Sequence, residues 1–145
     1  MAGDLITIER VLEPTSDHVE ALKRLLPQLS GATPPSLAEL KLVTSNPATY
    51  LFFARHSDLL VASLSLITFA TPTGVRAWIE DVVVDSPFRA KGVASMLVTH
   101  AVSQAKLLGA VHVDLTSRQE RVEANRLYRR LGFLARETNV YRLNL

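Results

Sequence analysis

A run of β-forming residues, Ile79-Glu-Asp-Val-Val-Val-Asp85, passes through Ser86-Pro-Phe-Arg-Ala-Lys-Gly-Val-Ala94 directly into an apolar stripe at helical spacing. Leu97, Val98, Ala101, Val102, Ala105 and Leu108 recur with the period of an α-helix, and Gly109 closes the stripe. The next run alternates, with Val111, Val113 and Leu115 set against His112, Asp114 and Thr116. Strand, tight turn, helix and strand in this order commit the segment to a βαβ unit with a right-handed crossover. The helix start offers unpaired backbone N–H groups and the positive end of a dipole, an anion site suited to phosphate. Gly92 lets backbone come close to such a ligand. Neither the Gly-x-x-x-x-Gly-Lys-Ser/Thr pattern of nucleotide triphosphatases nor the Gly-x-Gly-x-x-Gly pattern of dinucleotide folds is present.

The preceding half reads as hairpins and short helices. Leu5 to Glu9 forms a first strand ended by Pro14, and Val19, Leu22, Leu25, Leu26 and Leu29 share one helical face behind a capping box at Asp17 and Glu20. Ser36 and Glu39 cap a second helix, which Asn46-Pro47 stops. Tyr50 to Ala54, Leu59 to Phe69 and Val75 to Asp85 are strands separated by His56-Ser57-Asp58 and Thr71-Pro-Thr-Gly74. After the crossover, a helix presents Ala124, Leu127, Tyr128 and Leu131, and Leu134 to Leu145 is expected as the last strand. The fold class is α/β with a central mixed, mostly antiparallel sheet of six to seven strands, flanked by about four helices.

At 145 residues the chain is read as one domain, 1–145. It has no cysteine, which excludes disulfides, Cys-based metal sites and an enzyme-bound thioester. A net charge of +2 gives no field for nucleic acid or an anionic membrane. The start, MAGDLITIER, is neither a secretory signal nor a membrane span, so a cytoplasmic protein is expected. His18, His56, His100 and His112 are dispersed, and no metal is expected.

Val84-Asp85, three residues, then Arg89-Ala-Lys-Gly-Val-Ala94 resembles the Arg/Gln-x-x-Gly-x-Gly/Ala signature of the GNAT acetyltransferases. Ala124-Asn-Arg-Leu-Tyr-Arg-Arg-Leu-Gly-Phe133 resembles the Ala-x-x-Leu-Tyr-x-x-x-Gly-Phe segment of the same superfamily. The resemblance implies a GNAT fold with a splayed parallel strand pair, and acetyl-CoA as donor. It places the CoA pyrophosphate on the backbone of Arg89, Ala90, Lys91, Gly92, Val93 and Ala94. The pantetheine arm would lie between Val82, Val83 and Val84 on one strand and Val111 to Leu115 on the other.

By the same resemblance Tyr128 lies beside the CoA sulfur as general acid, and Glu80 takes the proton of the attacking amine. Strand parity puts Glu80 with Trp78 and Val82, and Asp81 with Ile79 and Val83, so one carboxylate faces the acceptor; Glu80 is favoured over Asp81. Many members carry Asn three residues before the alanine of the second motif, where this chain has Arg121; Asn125 is the candidate for the missing contact to CoA. The implied reaction is direct transfer of the acetyl group to a primary amine of a small molecule or peptide, without an acyl-enzyme. The Glu80 to Asp85 run is also similar to the matching strand of glucosamine-phosphate acetyltransferases, a likeness too short to name an acceptor. The second reading is a non-catalytic acyl-CoA sensor; a nucleotide-binding switch lacks its lysine motif. A homodimer through the late strands is common in the family and leaves no clear mark here.

Overall fold

A computed structural model describes residues 5–145; residues 1–4, on which part of the N-terminal reading falls, lie outside the described residues. Five strands form one sheet in the order β1-β2-β3-β4-β5: β1 Ile6–Arg10, β2 Thr49–His56, β3 Leu59–Thr71, β4 Gly74–Val84 and β5 Val113–Asp114. Four α-helices flank it: α1 Ser16–Leu25, α2 Leu37–Ser45, α3 Val93–Leu107 and α4 Val122–Arg130. The first four strands are antiparallel neighbours, and β4 and β5 run parallel, so the sheet is mixed as expected.

The two-residue alternation of β2 sorts its side chains between two cores. Phe52 and Ala54 join Leu64, Leu66 and Ile79 under Leu97, Val98 and Ala101 of α3. Leu51 and Phe53 face the other way, onto Val19, Leu22 and Leu25 of α1 and Leu40 of α2. Ser36 caps α2 as the sequence indicates, its Oγ accepting from Glu39 N–H at 3.2 Å. For α1 the capping residue is Thr15 rather than Asp17: the Thr15 N–H donates to Nδ1 of His18 at 3.0 Å, so a histidine ring takes the place expected of a glutamate.

Two features shape the functional end of the sheet. First, β4 carries a bulge: Ser63 pairs with Val83 and Ser65 with Glu80, leaving Asp81 and Val82 opposite the single residue Leu64. Asp81 has φ +54°. The extra residue flips the alternation, since Ile79 lies in the α3-side core and Val83 in the α1-side core. Parity counted straight through Asp81 therefore fails. Second, β4 and β5 pair only at Ala77–Val113 and Trp78–Asp114, and β4 continues to Val84 with no β5 residue beside it.

Among the described residues the sheet has five strands rather than six to seven, and Leu134 to Leu145 forms none. The alternating sequence is there, but Val140, Tyr141 and Leu143 are 69%, 88% and 84% exposed. The two-residue edge of β5 offers no ladder long enough to pair with them. Among the described residues, no helix is long and apolar enough to cross a membrane, and no group of three metal-ligating side chains assembles.

Candidate active site

The turn between β4 and α3 is held from below by a polar cluster. Asp85, 7% exposed, accepts from Arg24 Nε at 3.1 Å and from Gln28 Nε2 at 2.9 Å. Arg24 also donates to the Leu60 carbonyl. Gln28 lies in a turn of 3₁₀ helix, Leu26–Gln28, that continues α1, and its Oε1 accepts from Ser86 N–H at 3.0 Å and from Arg89 Nη2 at 3.1 Å. Burial pushes the Asp85 carboxyl up. Hydrogen bonds from Gln28 and Arg24, the Arg24 charge and the Ser86 N–H outweigh it and hold the group below its ordinary value.

Beyond this cluster the backbone makes two left-handed steps, Ala90 at φ +59° and Gly92 at φ +81°, and Gly92 is the N-cap of α3. A Cβ built at Gly92 would meet no protein atom within 4 Å, so the space in front of the helix start is open. The first turn of α3 points its free N–H groups into that space. Arg89 turns back, with Nε donating to the Val84 carbonyl at 3.0 Å in addition to its bond to Gln28.

The opposite wall comes from α4. Tyr128 is 7% exposed, stands edge-on to Phe133 at 5.8 Å between ring centroids, and has no hydrogen-bond partner for its hydroxyl among the described residues. Burial raises the Tyr128 hydroxyl above its ordinary value, and the charge of Arg121 pulls it partly back. Arg121 is the N-cap of α4. Asn125 spends its amide on this loop, donating to the carbonyls of Arg118 and Arg121 at 2.8 Å each.

Between the walls lies a cleft of about 270 Å³. The sequence-derived residues Val82, Val83, Val84, Arg89, Ala90, Gly92, Val93, Ala94 and Tyr128 all line it. Lys91, Asn125 and Glu80 do not. Lys91 Nζ stands over the Phe88 ring at 5.6 Å. Glu80 is exposed on β4, where it accepts from Trp78 Nε1 at 2.7 Å. Asp81, beside it, has its carboxyl raised by partial burial and by the neighbouring Glu80 charge.

Sequence reasoning passed over Gln28, Leu29, Leu127 and Arg130, which also line the cleft. The apolar spacing of α4 points to Leu127, whereas no local signal marks Gln28. The cleft is a slot between the end of β4 and α4, with the start of α3 at one end and the Tyr128 phenol in its wall; none of Val111 to Leu115, expected as its second strand wall, lines it. A slender, extended ligand with a phosphate group fits it.

The sequence matches the model of the Acetyltransferase (GNAT) family over residues 17–133. It is 33% identical to the glucosamine 6-phosphate N-acetyltransferase of Trypanosoma brucei brucei, over 98% of this chain and 99% of that protein. It is also 32% identical to an uncharacterized N-acetyltransferase of Bacillus subtilis (strain 168), over 88 residues that span 59% of this chain and 62% of the relative. Among solved structures, a Trypanosoma brucei acetyltransferase superposes with a TM-score of 0.79 at 28% identity, covering 97% of this chain and 99% of that one.

Proposed function

Because this chain belongs to the GNAT acetyltransferase family, we propose that it acts as a single domain, residues 1–145, that moves an acetyl group from acetyl-CoA directly to the primary amine of a small molecule. The observation that carries this reading is the slot left where β4 runs on past β5, closed by the glycine-capped start of α3 and walled by Tyr128. In the slot, Val82 to Val84 would hold the pantetheine arm by backbone, and Ala90 to Ala94 the pyrophosphate. Acetyl-CoA supplies an acyl group already activated as a thioester.

Each chemical role falls to a residue of this chain. The bulge at Asp81 and Val82 interrupts the ladder with β3, and a backbone N–H freed there would stabilise the charge that develops on the acyl oxygen. Tyr128, buried and with no hydrogen-bond partner for its hydroxyl among the described residues, would protonate the departing sulfur. Glu80, exposed on β4 outside the cleft lining and held by the bond from Trp78, would take the proton of the amine directly or through water. For the acceptor, the Trypanosoma brucei brucei relative acts on glucosamine 6-phosphate, and that amine is the first to try.

Calorimetry with acetyl-CoA, CoA and ATP tests the donor site. Saturable binding of the thioester, with none of ATP, is expected. Acetyl transfer to glucosamine 6-phosphate and to a panel of amines then follows, with Tyr128→Phe expected to keep thioester affinity and lose about 10²- to 10⁴-fold in turnover. Absence of thioester binding would end the acyltransferase reading, and full turnover in Tyr128→Phe would remove its acid.

A further inference from the structure

Arg121 is a cation without a counterpart. Among the described residues its guanidinium has neither a carboxylate within ion-pair distance nor a side-chain hydrogen bond, although Arg126, on the same helix, pairs with Glu123 at 3.2 Å. It nevertheless has a fixed place. It is the N-cap of α4, its N–H donates to the Arg118 carbonyl at 3.1 Å, and its own carbonyl accepts both the Asn125 N–H at 3.0 Å and the Asn125 side-chain amide at 2.8 Å. Those bonds anchor the backbone and leave the charge free, in the wall of the same cleft that Tyr128 lines.

The other charged groups lining that cleft are Arg89 on the turn and Glu123 and Arg130 on α4. Arg89 is engaged by Gln28 and Val84, and Glu123 by Arg126, while Arg130 near the end of α4 is, like Arg121, without an ion pair or side-chain hydrogen bond among the described residues. The α1 end contributes uncharged Gln28, β4 only valines, and α3 only Val93, Ala94 and Ser95. The Tyr128 phenol is buried, which disfavours phenolate, and the exposed Arg121 charge, two helical turns before it in the wall of the same cleft, opposes that.

We propose that Arg121 is the electrostatic partner of Tyr128, a positioning residue whose unpaired guanidinium favours transfer of the phenolic proton to the sulfur as the thioester breaks. The step balances: the amine N–C bond forms, the C–S bond breaks, the Tyr128 proton passes to sulfur, and the proton shed by the amine passes to Glu80 and from there to solvent, from which Tyr128 is reprotonated. The role rests on the donor reading above, but its test does not need the donor.

Tyrosinate absorbance is followed against pH in the free protein and in its Tyr128→Phe variant; the difference isolates Tyr128 from Tyr50 and Tyr141. Arg121→Asn and Arg121→Gln are each expected to move that titration to higher pH, and Arg121→Lys to leave it near the parent. An unmoved titration in both neutral variants overturns the proposal, whether or not acetyl-CoA binds. In the acetyl-transfer assay, the neutral variants should lower kcat with little change in the KM for acetyl-CoA. A change confined to KM, restored by Arg121→Lys, would put the guanidinium on a CoA phosphate and overturn the role. Failure of the wild-type protein to bind acetyl-CoA would instead overturn the donor reading while the Tyr128 titration still reports on Arg121.

Discussion

Replacing Asp85 removes the acceptor at the centre of the cluster under the β4–α3 turn. The carboxylate takes two side-chain hydrogen bonds, from Arg24 at 3.1 Å and Gln28 at 2.9 Å, at 7% exposure. Hydrogen bonds to a charged group are worth about 1.5–3 kcal/mol each. The Arg24 side chain is 39% exposed, so water recovers part of what it loses and its bond counts at or below the bottom of that range. Asp85→Ala is therefore expected to cost about 3 kcal/mol, and Asp85→Asn, which keeps one acceptor oxygen but no charge, about 1–2 kcal/mol. At this chain length the alanine variant should melt about 6–12 °C lower.

The pH dependence has a definite sign. The folded-state value of Asp85 is depressed, so its contribution is fully present above the ordinary aspartate value of about 3.9 and is lost as pH falls through the lower folded value. Urea denaturation of wild type and Asp85→Asn across pH 7 to pH 3 should show the gap between them closing below about pH 4. A gap of equal size at both ends would refute the electrostatic origin, and no gap at pH 7 would refute the cluster itself.

Gly92 sits at φ +81° in open space, so Gly92→Ala should cost about 1–2 kcal/mol from backbone strain alone, read by thermal melting. If the proposed donor site is right, its Cβ enters the space of the pyrophosphate, and calorimetry should show acetyl-CoA affinity falling further than stability does. Asp81, at φ +54° in the bulge, should accept glycine with a change within about 0.5 kcal/mol, whereas Asp81→Val should lose about 2 kcal/mol in the same urea assay. Equal stability of the two variants would mean that the positive φ is not kept in solution.

The βα unit was legible because a run of β-forming residues to Asp85 leads through a tight turn into helical spacing from Leu97 to Leu108. Gly92 stands where the turn meets that helix, whereas the apolar spacing marked Tyr128 only as a core residue and its site role came from the resemblance of the Ala124 to Phe133 segment. The bulge at Asp81 was not legible: no glycine or asparagine marks its positive φ, and a strand read by alternation passes straight over it. Gln28 was invisible because its partners Asp85, Ser86 and Arg89 lie 57 to 61 residues away, beyond any local pattern. The tail shows the converse failure. Leu134 to Leu145 has the composition of a strand, but a strand also needs a neighbour, and alternation alone says nothing about whether one is within reach.

Strand order in this sheet equals strand order in the chain. Each hairpin from β2 to β4 closes through a two-residue loop, so most of the sheet forms from contacts between near neighbours, the kind that assemble quickly. During synthesis each strand leaves the ribosome to find its docking edge already built, and no strand must be inserted between two that have paired. Helices come between paired strands twice, α1 and α2 before β2 and α3 before β5. The last regular pairing to form is thus the short one beside the slot, so the slot opens onto the part of the sheet that is assembled last and has the fewest bonds to break.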